Sequence, residues 1–194
     1  VKAHLSAAGD AQELFANSRD ALGVITALVN NASLFEIDIL ETMTESSFSQ
    51  HMNTNLLAPA VLTQAFAAQT DLPAQSNVNI VNIIDQRIHN LRPDFLSYTL
   101  SKSALWTLTQ TTAMSLAPRI RVNAIGPGPT LQSKRQSKEQ FARQAQQVPL
   151  QRGATPNEIA NGVLFFTNSS SITGEFIAMD GGQHLPTSNV SEEE

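Results

Sequence analysis

The chain has 194 residues, 41 % hydrophobic and 15 % charged, which is enough apolar material for one domain with a sizeable core. Seventeen Asp and Glu oppose twelve Lys and Arg, and the net charge of −5 argues against a basic nucleic-acid footprint. The absence of cysteine excludes a disulfide scaffold, a thiol nucleophile and a Cys-ligated zinc site.

No apolar run reaches the ~18 residues of a membrane span, and the opening VKAHLSAAGD lacks the apolar core of a signal peptide. A soluble cytoplasmic domain with no membrane and no nucleic-acid partner is the expectation. Asp10 is the expected N-cap of a helix carrying Leu14, Phe15, Ser18 and Leu22, and Gly23 its stop. Residues 25–29 read as a short buried strand, followed by the polar loop Asn30-Asn31-Ala32-Ser33. A long helix is predicted over 45–69, with Phe48, Met52, Leu56 and Phe66 as core positions. Residues 71–77 read as a polar loop and 78–84 as a second buried strand.

A helix over 97–116 follows a loop containing Pro93 and ends at Pro118. Residues 120–125 read as a third strand, and Gly126-Pro127-Gly128-Pro129 as a rigid turn outside it. A helix over 138–147 comes next. Thr155-Pro156-Asn157-Glu158 combines an N-cap, a proline in the first turn and a capping acid, with Ile159, Val163 and Phe166 then facing the core. Residues 175–179 form the last predicted strand, and Asp180-Gly181-Gly182 turns out of it. Strands separated by helices predict one α/β domain over 1–185, a parallel sheet covered on both faces, with a polar tail over 186–194. In such sheets the ligand lies beyond the carboxyl ends of the strands, where Asn30, Asp85 and Gly126 fall.

Tyr98 and Lys102 are four apart on a predicted helix and share a face. A nearby ammonium favours the phenolate and lowers the tyrosine pKa, so the pair could transfer a proton at neutral pH. Asn55 lies four residues before Pro59, which has no N–H to offer the Asn55 carbonyl. Such a carbonyl can hold a water or an ammonium. The alternative is a kink that serves packing alone.

NNAS at 30–33, Asn55, Asp85, Tyr98, Lys102 and RVNAIGPGPT at 121–130 together resemble the short-chain dehydrogenase/reductase family, and DGG at 180–182 resembles its C-terminal end. The resemblance implies a Rossmann-like, doubly wound sheet and hydride transfer between a nicotinamide cofactor and a carbonyl or imine. It implies Tyr98 as proton donor, Lys102 as its partner and holder of the nicotinamide ribose, and Asn55 as holder of a relay water. It further implies Asn31, Ala32 and Ser33 along the cofactor, with Pro127, Gly128 and Thr130 flanking the nicotinamide. A homo-tetramer is the implied assembly, no metal is implied, and residues 132–137 fall where the family has its substrate-covering loop.

Asp85 stands where most of the family has serine. An ionised carboxylate cannot donate to a carbonyl, but it suits a substrate with N–H donors or a ring nitrogen awaiting a proton. Ser33 replaces the usual glycine of NNAG, and Phe35 follows. This set resembles the pteridine reductases, which reduce pterins and folates with NADPH. The resemblance implies that Phe35 sandwiches the heterocycle, Ser33 touches it and Asp85 assists its protonation. The alternatives are a loop aromatic closing the core at Phe35, and at Asp85 a neutral replacement or an ion pair with Arg87 or Arg92. The readings for the whole chain are therefore an NADPH-dependent pterin or folate reductase, a general carbonyl reductase, and a non-catalytic protein that retained the fold. Trp106 and Phe95 are expected to pack between helices.

The family's first strand, glycine-rich turn, helix and second strand are expected ahead of Val1, roughly 45–60 residues that would hold the pyrophosphate and choose between NADP and NAD. His4 stands where the family often has an aspartate near the adenine.

Overall fold

Asn79–Ile83 carries Val and Ile without a break, the pattern of a strand buried on both faces. In the computed structural model, which describes residues 3–5, 9–73 and 78–185, it lies inside a four-stranded parallel sheet. The strands are β1 (Ala27–Asn30), β2 (Asn79–Ile83), β3 (Arg121–Pro127) and β4 (Phe176–Met179), in that spatial order. The register is regular: Ala27 lies beside Asn79, Asn79 beside Arg121, and Ala124 beside Phe176. The expected tail over 186–194 lies outside the described residues.

The helices are α1 (Asp10–Leu22), α2 (Glu45–Met52), α3 (Ala58–Ala67), α4 (Leu96–Leu116), α5 (Lys138–Gln146) and α6 (Pro156–Asn168). Ile80, Val122, Phe15, Leu62 and Phe66 form the core under α1 and α3. Val81, Ile83, Ile125 and Phe166 form the core under α6 on the opposite face. Successive strand side chains point to opposite faces, so one sheet feeds both layers. No helix among the described residues is long and apolar enough to cross a membrane.

Several boundaries differ from expectation. Asp10 is the first helical residue of α1, not its cap; Gly9 is the N-cap, with φ 89°. Gly23 stops the helix as expected, with φ 75°, whereas Leu22 is exposed. The helix predicted over 45–69 is interrupted by a π turn at Asn53–Leu57, between α2 and α3. Pro59 lies just beyond that turn, where a missing N–H loosens the α-helical register. Phe66 is fully buried, but Phe48, Met52 and Leu56 are half-buried; the most enclosed side chains before Pro59 are the polar His51 and Asn55.

The expectation of a turn at 126–129 also fails in part. β3 continues through Gly126 and Pro127, which lie beside Ala178 and Met179 of β4. Ala124 and Gly128 donate toward β4, whereas the odd residues face β2. β2 has ended by that point, so the N–H that Pro127 lacks costs no ladder bond. Gly126 is required there, since a Cβ would come 2.0 Å from the Phe176 ring.

Candidate active site

Asp85 follows β2, Pro127 ends β3 with Gly128 just after it, and Gln183 and His184 follow β4. They open into a cleft of about 1070 Å³ together with Phe35, Phe95, Tyr98 and Thr130. The cleft lies beyond the carboxyl ends of the strands, as the topology requires.

α4 presents Tyr98 and Lys102 on one buried face. Tyr98 Oη donates to Asp85 Oδ2 at 2.8 Å. Asp85 Oδ1 accepts from Arg87 N at 2.8 Å and so caps the short 3₁₀ turn Gln86–Ile88. One carboxylate thus does both jobs: one oxygen orders its own loop, and the other faces the phenol. The alternative of an ion pair with Arg87 or Arg92 is not seen among the described residues, where Arg87 pairs with Asp94 at 2.8 Å. Lys102 Nζ donates to Ile83 O at 2.8 Å and lies 5.7 Å from the Tyr98 ring centre.

The electrostatics correct one expectation. Burial and then the adjacent Asp85 carboxylate push the Tyr98 phenol well above its ordinary pKa. Lys102 does not reverse this. Its own pKa falls to about 8, because burial disfavours its charge. Burial also raises Asp85, against the hydrogen bonds from Arg87 and Tyr98 and the nearby positive charges. Tyr98 therefore keeps its proton, the form in which a phenol can donate to a substrate.

Asn55 sits in the π turn and is fully buried. Its Nδ2 donates to Leu34 O at 2.9 Å and Ser101 Oγ at 3.0 Å. Its Oδ1 accepts from Leu34 N at 2.7 Å and Ser33 Oγ at 3.2 Å. Two donors and two lone pairs are all used, so a water held here must use the main-chain carbonyl. Ser101 Oγ in turn donates to Tyr98 O at 2.7 Å, tying the loop after β1 to α4.

Phe35 reaches the cleft and stacks on Phe95, with ring centres 4.3 Å apart and planes 3° from parallel. It also meets Tyr98 edge-on at 4.7 Å. Phe95 was expected between helices; it is a wall of the cleft instead, while Trp106 packs against Phe176. Arg135 lies over both rings, bonds Phe35 O and pairs with Glu36. Asn31 and Ala32 do not line this cleft. They border a second, apolar cavity of about 360 Å³ beside β1, with Leu28, Pro59 and Leu62.

The comparisons with known proteins agree with this arrangement. A family model described as enoyl-(acyl carrier protein) reductase matches residues 1–184. Human dehydrogenase/reductase SDR family member 4 is 32 % identical over 188 residues, covering 92 % of this chain and 66 % of the human one. The chain belongs to the short-chain dehydrogenase/reductase family. Within that family it is also 34 % identical to protein FixR of Bradyrhizobium diazoefficiens over 168 residues, covering 82 % of this chain and 59 % of FixR. The structure of FolM alternative dihydrofolate reductase 1 from Brucella canis, complexed with NADP, superposes with a TM-score of 0.90 at 46 % identity. That match covers 98 % of this chain and 76 % of the Brucella one. The chain thus spans 59 % and 66 % of the length of these two curated relatives.

In this family member Asp85 and Tyr98 share a hydrogen bond, and Lys102 lies one turn further along α4 with its ammonium on Ile83 O. Sequence reasoning missed the roles of Arg135 and Ser101, whose contacts to Phe35 and Asn55 are long-range, and placed Phe95 between helices. Only Phe95, three residues before Tyr98 in the chain, carried a local hint.

Proposed function

We propose that the protein is an NADPH-dependent reductase of a pterin-like or folate-like heterocycle, with Tyr98 as proton donor. The observation that carries this reading is the 2.8 Å hydrogen bond from Tyr98 to Asp85 at the floor of an aromatic-walled cleft. The likeness to a dihydrofolate reductase complexed with NADP supports it.

The residues present fit a nicotinamide nucleotide. Lys102 uses one of three N–H donors on Ile83 O, so two would be available to a ribose diol. Pro127, Gly128 and Thr130 border the same cleft, and Asn31, Ala32 and Ser33 would follow the nucleotide toward β1. When bound, the cofactor supplies the hydride. Tyr98 gives its proton to the substrate nitrogen, and the raised phenol pKa keeps that proton in place until then. Asp85 takes N–H donors of the heterocycle on its carboxylate and assists protonation by holding the Tyr98 hydroxyl beside them; the proton that Tyr98 gives up is replaced from solvent. Phe35 would offer a flat face to the ring and exclude water, and Ser33, which is outside the cleft lining, would reach the heterocycle only by releasing its bond to Asn55. Asn55 holds the Ser33–Leu34 loop and, through its carbonyl, a water on the path to Lys102. The homo-tetramer is carried over from the family resemblance, with exposed Leu100 and Met114 on α4 as candidate contacts.

The test is oxidation of NADPH by the full-length protein with dihydrobiopterin or dihydrofolate. Acceleration by either supports the reading. Turnover of simple ketones with no pterin turnover would replace it with a general carbonyl reductase.

A further inference from the structure

The helix that carries Tyr98 begins in an unusual way. Its N-cap is Phe95, in the left-handed region at φ 57° and ψ 48°, with no side-chain cap. A β-carbon residue in that region costs of order 1–2 kcal/mol and persists only where its surroundings hold it. An aromatic N-cap also leaves the first N–H groups of the helix without a local acceptor.

Asp38 supplies what Phe95 cannot. Its main-chain oxygen accepts from Leu96 N at 3.0 Å, and its Oδ1 accepts from Ser97 N at 2.9 Å. Its Oδ2 accepts from Ser97 Oγ at 2.5 Å and from Ser47 Oγ, on α2, at 3.1 Å. Asp38 is buried and has no ion-pair partner among the described residues. A negative charge at the N-terminus of a 21-residue helix is favoured by the helix dipole. Burial alone would raise its pKa, but the bonds from Ser97 and Ser47, together with nearby His51, outweigh burial and hold it below the ordinary carboxylate value.

The same loop carries Phe35. His51, on α2, accepts from Glu36 N through Nε2 at 3.2 Å and faces Ser47 O through Nδ1 at 2.8 Å. Asp38 therefore links three segments: the loop bearing Phe35, helix α2, and the first turn of α4 one residue before Tyr98. The Phe35–Phe95 stack spans the same junction.

We infer that Asp38 is a positioning residue for the reaction: as a cap supplied from another segment, it fixes the first turn of α4 and so aims the Tyr98 hydroxyl at the substrate that Phe35 presents. This rests on the proposed role of Tyr98 as proton donor. Sub-ångström aim matters there, since a misplacement of about 1 Å can cost about a hundredfold in rate.

The test compares Asp38→Asn, Ser97→Ala and the double variant in the full-length protein, each scored for folding by near-UV circular dichroism and for kcat and KM separately. Asp38→Asn is expected to fold, to lose about tenfold or more in kcat, and to keep KM for NADPH within about twofold. Ser97→Ala, which keeps the main-chain bond to Asp38, is expected to lose less. The double variant is expected to be no slower than Asp38→Asn alone, because both act through one contact. A drop in melting temperature with unchanged kcat in the folded protein would overturn the inference and reduce Asp38 to a stabilising cap. So would additive losses in the double variant. If the parent reduces ketones but no pterin, the substrate reading fails while the same kcat comparison on a ketone still decides Asp38. Loss of NADPH oxidation with every substrate in the parent would remove both.

Discussion

Tyr98 and Asp85 share one short hydrogen bond, 2.8 Å from phenol to carboxylate, although 13 residues separate them in the chain. Strand β2 delivers the acid and helix α4 the phenol, and burial pushes both pKa values up. In the proposed reaction, Tyr98→Phe keeps the ring but removes the proton, and is expected to lower pterin turnover by about 10²–10⁴-fold. Steady-state NADPH oxidation reads this directly.

Asp85→Ser restores a hydroxyl that can donate to a carbonyl but no longer accepts from an N–H edge with full charge. Pterin reduction should weaken more than ketone reduction. Equal losses on the two substrates would leave Asp85 with its capping bond to Arg87 N as its whole purpose.

The pKa of Lys102, lowered by burial to about 8, sets a pH expectation. The ammonium is present below that value and is lost above it, so turnover that uses its charge should fall as pH rises through about 8. Stability moves the other way. Between about 8 and the ordinary lysine pKa the unfolded chain binds more protons than the folded one, so this group makes stability rise with pH there. A rate profile and a denaturant series over the same pH range test both signs. Lys102→Met should remove the rate limb near pH 8 together with most of the activity.

Gly126→Ala tests the end of β3. The added methyl would come 2.0 Å from Phe176 Cζ, inside a ring packed against Trp106 and His89. Overpacking of this kind costs about 1–3 kcal/mol, read as a lower urea midpoint. Phe176→Leu in the same chain should recover part of it.

Arg135→Ala removes the guanidinium over Phe35 and Phe95 and its bonds to Glu36 and Phe35 O. The pair is exposed, so stability should change by less than about 1 kcal/mol. The substrate KM should rise while KM for NADPH stays constant. Unchanged KM values for both would remove Arg135 from the substrate site.

What the sequence by itself determined is local. Periodicity in 78–84 and 120–125 marked buried strands, Thr155 to Glu158 marked the start of α6 through a capping box, and helical spacing put Tyr98 and Lys102 on one face. These signals act within a few residues, so they are written in the chain. Tertiary structure alone decided that β3 runs on through Pro127, because only the early end of β2 makes the missing N–H harmless. It alone decided that burial and Asp85 raise the Tyr98 pKa where spacing to Lys102 suggested lowering. It alone brought Asp38 to the start of α4, Asn55 to Leu34, and Phe35 onto Phe95, since each contact joins segments whose proximity the packed sheet creates. Charge, desolvation and long-range hydrogen bonds depend on what the fold brings near, and the chain order of the residues does not carry that information.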